Sequence, residues 1–198
     1  MLSVIIPVKD PEPFYPMLVM KINFLLNKLS IENEILIQKE LGLTNAVVEG
    51  VKKAQYPFVL VMDADGSHDP LYIPVWLNFM HEVYDYDLVV GFKDVDESSF
   101  FRKTISKTFR FLGRILVGTK VKDPMSGFVM GRKKMFDLIK PSMDYKFLLQ
   151  ILIHDPRVLD YPIRFYKRKS GRSKASLITG LRTLAYMFRL GFSRRKIK

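Results

Sequence analysis

Short apolar runs alternate with helix-period segments through the first half of the chain. Residues 2–8 (LSVIIPV) form a nearly continuous apolar run, checked by Pro7 and then by Pro11 and Pro13, as in a buried strand. Residues 17–29 have helical periodicity, and 34–37 (EILI) form a short strand. Thr44 is placed to cap a helix running to Ala54, with Val47, Val48 and Val51 on its apolar side. A third strand follows at 58–62 (FVLVM), then a helix over 70–80 with Asp69 as its cap, and a fourth strand at 87–91. Apolar strands separated by helices predict an α/β fold with a mostly parallel sheet covered on both faces.

The second half is less regular. A long helix spans about 99–116 and carries Arg102, Lys103, Lys107, Arg110 and Arg114. The segment 123–128 (DPMSGF) is a turn entering a strand, 145–153 is a helix, and 161–165 (YPIRF) is an edge strand because of its proline. At 176–190, Leu177, Leu181, Leu184 and Phe188 recur on one side of a helix that leads into the basic run SRRKIK. No internal repeat or low-complexity linker interrupts the chain. The expected organisation is one domain, residues 1–174, followed by an amphipathic basic helix and tail, 175–198.

Charge divides the chain more sharply than the apolar pattern does. Residues 1–98 hold 7 Lys/Arg against 15 Asp/Glu, a net of −8, while 99–198 hold 25 against 5, a net of +20. An acidic half able to hold a cation is thus joined to a basic half suited to anions or a membrane surface, or simply to a solvated face. With 48% apolar and 13% aromatic residues the chain is folded rather than disordered. The absence of cysteine excludes a disulfide framework and a thiolate metal site. Met1-Leu2-Ser3 enters the first strand without a basic leader, so no signal peptide is expected. No run of 18 apolar residues predicts a membrane span.

The chemistry concentrates where the third strand ends, in VMDADGSHDP. Ligands of open parallel sheets bind beyond the carboxyl ends of the strands. Residues i and i+2 of an extended chain point to one side, so Asp63 and Asp65 share a site. Two such carboxylates repel unless a cation lies between them, and magnesium or manganese suits carboxylates bridged to phosphate oxygens. The competing reading is that Asp63, Asp65 and Asp69 only cap the turn and the next helix. His68, His81 and His154 show no common spacing and receive no role.

The ordered set SVIIPV, GLTNAVVEGVKKA, VMDADGSHDP, VVGFK, RKTISK, DPMSGF and RKSGRSKAS, spread from Ser3 to Ser176, resembles the family 2 glycosyltransferases. Within them it is most similar to the dolichol-phosphate mannose synthase branch. The resemblance implies a GT-A type, Rossmann-like sheet flanked by helices. It also implies sugar transfer from a nucleoside diphosphate sugar to a polyprenyl (dolichyl) phosphate. Carried over, Asp63, Asp65 and Ser67 are the metal residues, for Mg or Mn. Pro7, Val8, Asp10, Asp63, Arg168 and Lys174 meet the donor, with Ser173 and the flexible Gly171 in the same closing loop. Lys93, Arg102 and Ser106 meet the acceptor phosphate. Asp65, Arg102 and Asp123 are the catalytic candidates, Asp123 having a structural alternative. Two departures stand out: the Asp-Asp-Gly-Ser turn usual after the second strand is missing between Gln38 and Leu43, and the usual Asn-Glu is replaced by Lys9-Asp10-Pro11-Glu12.

Arginine pairs with phosphate through parallel N–H donors, and Arg102 and Ser106, four apart, share one helical face. Lys103, Lys107 and Arg110 read equally well as an exposed basic helix. An acceptor phosphate is already anionic, so positioning and charge stabilisation suffice, and its direct attack on the sugar C1 inverts the anomeric configuration. The C-terminal helix reads as an in-plane membrane helix or as one packed on the domain. The combined expectation is a cytoplasmic enzyme lying peripherally on the inner face of the membrane. A nucleic-acid-binding module is disfavoured because no recognition motif accompanies the basic residues and the DAD turn repels phosphate without metal. A non-catalytic relative that lost donor binding is the remaining alternative.

Overall fold

Six strands and seven helices are present in the computed structural model, which describes residues 1–8, 13–39, 42–81, 85–95, 100–142, 146–166 and 177–194. The first half contains β1 (Leu2–Pro7), α1 (Tyr15–Lys28), β2 (Asn33–Gln38), α2 (Leu43–Lys53), β3 (Phe58–Val61), α3 (Tyr72–His81) and β4 (Leu88–Val95). The second contains α4 (Phe100–Val117), β5 (Val129–Arg132), α5 (Lys133–Phe136), α6 (Phe147–Leu152), β6 (Val158–Arg164) and α7 (Leu177–Arg194).

The strands form one sheet in the order β2-β1-β3-β5-β4-β6. β1 is parallel to both β2 and β3, and β4 is parallel to β6. Only β5 runs the other way, antiparallel to both β3 and β4. The sheet is therefore mostly parallel, as the alternating pattern implies. β5 is also what builds the site. Being reversed, it begins where its neighbours end, so the DPMSGF turn that feeds it lies beside the carboxyl end of β3. β6 takes the edge, where Pro162 removes one N–H from the ladder at little cost.

Alternation along the strands divides the core into two layers. Leu2, Val4, Ile6 and Leu60 are buried under Leu18, Ile22 and Leu26 of α1 and Ile73, Trp76 and Leu77 of α3. Ile5, Val59 and Val61 are buried on the opposite face, under Val47 and Val51 of α2 and under α6, whose six residues are apolar but for Gln150. Helices on both faces leave only the strand ends accessible, which confines polar chemistry to the loops there.

α7 lies along α4, and glycines set the spacing. A Cβ at Gly180 would stand 3.2 Å from Phe109 Cζ, and one at Gly191 would run into the carbonyl oxygen of Leu116. Met187 is fully buried between them and Leu190 is 9% exposed. At the end of the pair, the Arg194 guanidinium donates to the carbonyl oxygens of Val117 and Gly118, the last orphan acceptors of α4, and to Asp155 at 2.9 Å. Two of the side chains expected on one apolar face point away from this contact, Leu181 at 60% exposed and Phe188 at 50%, while Leu184 is half-buried and the Leu177 side chain lies outside the described residues. Phe192, further along, is 63% exposed. Among the described residues no helix is long and apolar enough to cross a membrane.

Several local expectations need correction. α2 is entered through Gly42, at φ +91°, and Thr44 is buried inside the first turn rather than capping it. The helix entry takes a positive φ at Gly42, which threonine rarely adopts. α3 starts at Tyr72 rather than at residue 70, with the Asp69 carboxylate accepting the Leu71 N–H at 3.1 Å. β4 runs on to Val95 and α7 to Arg194, both beyond the limits of their apolar patterns. The short α5 carries no periodic signal and is absent from the pattern altogether.

Candidate functional site

The apolar strand β3 delivers the acidic turn directly into the edge of the sheet. Met62 donates its N–H to Ile5 O at 3.2 Å, beyond the last paired residues of the two strands, and the chain then leaves the sheet. The next amide, that of Asp63, donates to His68 Nδ1 at 3.3 Å. Asp65 folds back to accept the Ser67 N–H at 3.0 Å, closing an Asx turn. Gly66 takes φ +76°, and a Cβ there would sit 2.5 Å from Phe14 Cε1, so the turn requires glycine on both counts.

Two carboxylates and one hydroxyl gather in this turn. Asp65 is buried, and Asp63 is half-buried with its carboxylate turned toward Gly127 of the DPMSGF turn. A Cβ at Gly127 would lie 3.0 Å from the Asp63 Oδ2, so a larger residue would crowd the carboxylate. Ser67 is fully buried, and among the described residues its hydroxyl has no hydrogen-bond partner. An orphaned buried hydroxyl costs about 1–3 kcal/mol. Such a donor set, all hard oxygen, fits a small divalent cation. Among the described residues no group of three or more His, Asp or Glu side chains could hold a metal by itself.

The DPMSGF turn is fixed independently. Ser126 Oγ donates to Gly91 O at 2.7 Å and accepts the Phe128 N–H at 3.2 Å, joining the middle of β4 to the start of β5. Asp123 accepts the Met125 N–H at 3.2 Å and lies 3.8 Å from the Arg110 guanidinium of α4. Both contacts hold the turn.

A third segment closes the arrangement from β6. Tyr166 donates its N–H to Ser67 O at 3.0 Å, and its hydroxyl reaches Asp69 at 3.4 Å. Phe165 carries the Lys93 ammonium 3.5 Å from its ring centroid. Beside these residues opens a cleft of about 440 Å³ lined by Phe14, Lys21, Gly66, His68, Arg164 and Phe165, so it pairs two cations with aromatic walls.

The sequence candidates therefore divide. Asp63, Asp65, Ser67 and Lys93 come together around the β3 and β4 ends, with Pro7 and Val8 at the end of neighbouring β1, where the buried Val8 donates to Gln38 O at 2.8 Å. Arg102 and Ser106 lie on α4 with their side chains outside the described residues. Asp10, Arg168, Gly171, Ser173 and Lys174 fall outside the described residues entirely. His68 and Phe165, which spacing does not mark, stand at the centre of the site. Their contacts arise only when β6 is laid beside β4, and no local pattern announces them.

The family model for glycosyl transferase family 2 matches residues 29–139. The chain is 33% identical over 162 residues to a dolichol-phosphate mannosyltransferase of Pyrococcus furiosus, covering 77% of this chain and 46% of that protein. It is 32% identical over 174 residues to the dolichol-phosphate mannosyltransferase of Saccharomyces cerevisiae, covering 77% and 63%. It thus spans about half the length of the curated relatives it matches. Among solved structures, glucosyl-3-phosphoglycerate synthase from Mycobacterium tuberculosis, in complex with Mn2+, UDP-glucose and phosphoglyceric acid, superposes with a TM-score of 0.73 at 14% identity, covering 98% of this chain and 79% of that one. Mannosyl-3-phosphoglycerate synthase from Rubrobacter xylanophilus gives 0.72 at 13%, covering 98% and 73%. The fold is of the GT-A type shared with these structures.

Proposed function

The chain belongs to glycosyl transferase family 2, and on that premise we propose that it moves a sugar from a nucleoside diphosphate sugar to a polyprenyl phosphate, with a divalent metal and inversion at C1. The observation that carries the reading is the DAD turn, in which two carboxylates and a partnerless buried hydroxyl meet at the carboxyl end of a parallel strand. The names of its relatives, dolichol-phosphate mannosyltransferase, support the acceptor class. The Mn2+ and UDP-glucose complex of a protein of the same fold supports a metal and a nucleotide sugar.

Asp63, Asp65 and Ser67 would hold magnesium or manganese. When bound, the ion offsets the charge of the donor diphosphate. The chain's own cations do the rest. Arg168 and Lys174, in the segment that follows Tyr166, neutralise the leaving diphosphate. Lys93, Arg102 and Ser106 hold the acceptor phosphate in line with C1. Its oxygen forms the new bond to C1 as the C1–O bond to the diphosphate breaks, and the nucleoside diphosphate departs with that electron pair. No base is needed, because the attacking phosphate is already an anion. Asp123 keeps the DPMSGF turn in place, so that Gly127 leaves room for Asp63.

The lipid substrate puts the enzyme at a membrane surface, on the cytoplasmic face. The exposed Leu181, Phe188 and Phe192 of α7, with Phe111 and Ile115 of α4, supply apolar contact, and the basic second half attracts anionic headgroups. A panel of sugar nucleotides incubated with polyprenyl phosphate, with manganese or with EDTA, tests the proposal. One sugar nucleotide should give a lipid-phosphate-linked sugar and a nucleoside diphosphate, with manganese only. Absence of product from every donor would favour a non-catalytic relative, as the missing turn after β2 would then explain.

A further inference from the structure

We infer that His68 and Phe165 are the positioning residues of this site, His68 for the metal turn and Phe165 for the acceptor cation; the inference rests on the proposed function above. Where β3 ends, the Asp63 amide has left the sheet and needs an acceptor. His68 Nδ1 supplies it at 3.3 Å, which fixes the backbone from which the Asp63 carboxylate projects. To accept there, Nδ1 must carry its lone pair, so the ring proton of the neutral imidazole sits on Nε2.

The imidazole itself is clamped. It stacks on Phe128 at 4.8 Å with 12° between planes, and meets Phe165 edge-on at 5.5 Å and 75°. It is 5% exposed. A ring held on two sides cannot swing its acceptor away from the amide. On Phe165 rests the Lys93 ammonium, 3.5 Å from the centroid. The following residue, Tyr166, is tied to Ser67 O, so the aromatic platform is anchored on the same turn that it serves. The chain Phe128, His68, Phe165, Lys93 thus spans four separate segments: the start of β5, the metal turn, the end of β6 and β4. It sets the distance between the metal carboxylates and the acceptor cation. Displacement at the sugar C1 depends on such distances to within a fraction of an ångström.

The two roles separate experimentally. His68→Phe keeps the ring and removes the acceptor, whereas His68→Asn keeps an acceptor near the position of Nδ1 and removes the ring. Phe165→Leu keeps apolar volume and removes the platform under Lys93. Mn2+ binding to the full chain, read by electron paramagnetic resonance of the free ion, should weaken about three- to tenfold in His68→Phe and recover in His68→Asn. Phe165→Leu should raise KM for a short polyprenyl phosphate by about three- to tenfold, with Mn2+ binding and kcat changed less than about twofold. Wild-type Mn2+ affinity in His68→Phe would overturn the first role. Equal shifts of Mn2+ affinity and lipid KM in both variants would overturn both, since a merely structural residue moves the two together. If the wild-type chain itself binds no Mn2+, it is the metal reading of the DAD turn that fails, and the role of His68 fails with it.

Discussion

The DAD turn and the α4–α7 pair are both built around glycines, but they use them in opposite ways. In the turn, Gly66 and Gly127 make room for polar groups: one permits the backbone reversal, the other leaves space beside the Asp63 carboxylate. In the helix pair, Gly180 admits the Phe109 ring and Gly191 the Leu116 backbone, while Leu181, Phe188 and Phe192 are turned outward. The first arrangement concentrates charge inside the fold, and the second displays apolar surface outside it. The proposed transfer of a sugar from an anionic nucleotide to a lipid phosphate needs both, at different places. The comparison also teaches that an apolar stripe does not by itself name the docking face of a helix, since on α7 that face is Gly180, Met187, Leu190 and Gly191.

The largest test of the contrast is removal of α7. Met187 and Leu190 belong to the core beneath α6, and truncating one such side chain typically costs about 2–5 kcal/mol. Against a total stability of about 5–15 kcal/mol, a chain ending at Ala175 should fail to fold cooperatively, as read by thermal melting. A soluble, cooperatively melting truncated chain would show that α7 is a detachable anchor. Next in size is Gly191→Ala. Its Cβ meets the Leu116 carbonyl, so the helices must part, at about 1–3 kcal/mol in denaturant unfolding. Unchanged stability would mean that the pair tolerates separation.

How much of this was legible in the sequence follows the same division. β3 and its turn were readable because an apolar run ending in DAD leaves the carboxylates nowhere but the sheet edge. The parallel strands were readable for the same reason. Helix α7 was readable as a helix, but not in its orientation, because Leu177, Leu181, Leu184 and Phe188 form a clean stripe while the contact combines Met187 and Leu190 with two glycines that no apolar pattern marks. Thr44 misled by chemistry: it is a good capping residue at a position where backbone sign decided, in favour of Gly42. His68 and Phe165 were out of reach, since they meet only through the pairing of distant strands.

A smaller effect should distinguish display from packing on α7. Phe188→Ser combined with Phe192→Ser should leave the melting temperature nearly unchanged, because both rings are already half or more exposed. Pelleting with anionic liposomes should fall on the order of tenfold. Loss of stability without loss of lipid binding would reverse the assignment of the two faces.

The smallest expected effect lies outside both regions. Arg157, hydrogen-bonded to Asp85 at 2.6 Å, holds that carboxyl below its ordinary value. An acid whose folded pKa is depressed adds stability above its unfolded pKa and loses it as pH falls through the folded value. Asp85→Asn should therefore slightly flatten the acid side of the stability profile below about pH 4, and no more, since both partners are solvent-exposed. A shift as large as that of Gly191→Ala would show that surface pairing, not helix packing, limits stability.

The most direct test of the central claim is calorimetric titration of UDP and GDP into the full-length chain, with and without Mn2+, for the wild type and for Asp65→Ala. One nucleotide should bind the wild type only when Mn2+ is present, and Asp65→Ala should lose that binding by on the order of 10²-fold while melting as the wild type does. Undiminished Mn2+-dependent binding by Asp65→Ala, or binding by the wild type that is indifferent to metal, would contradict the assignment of the DAD turn.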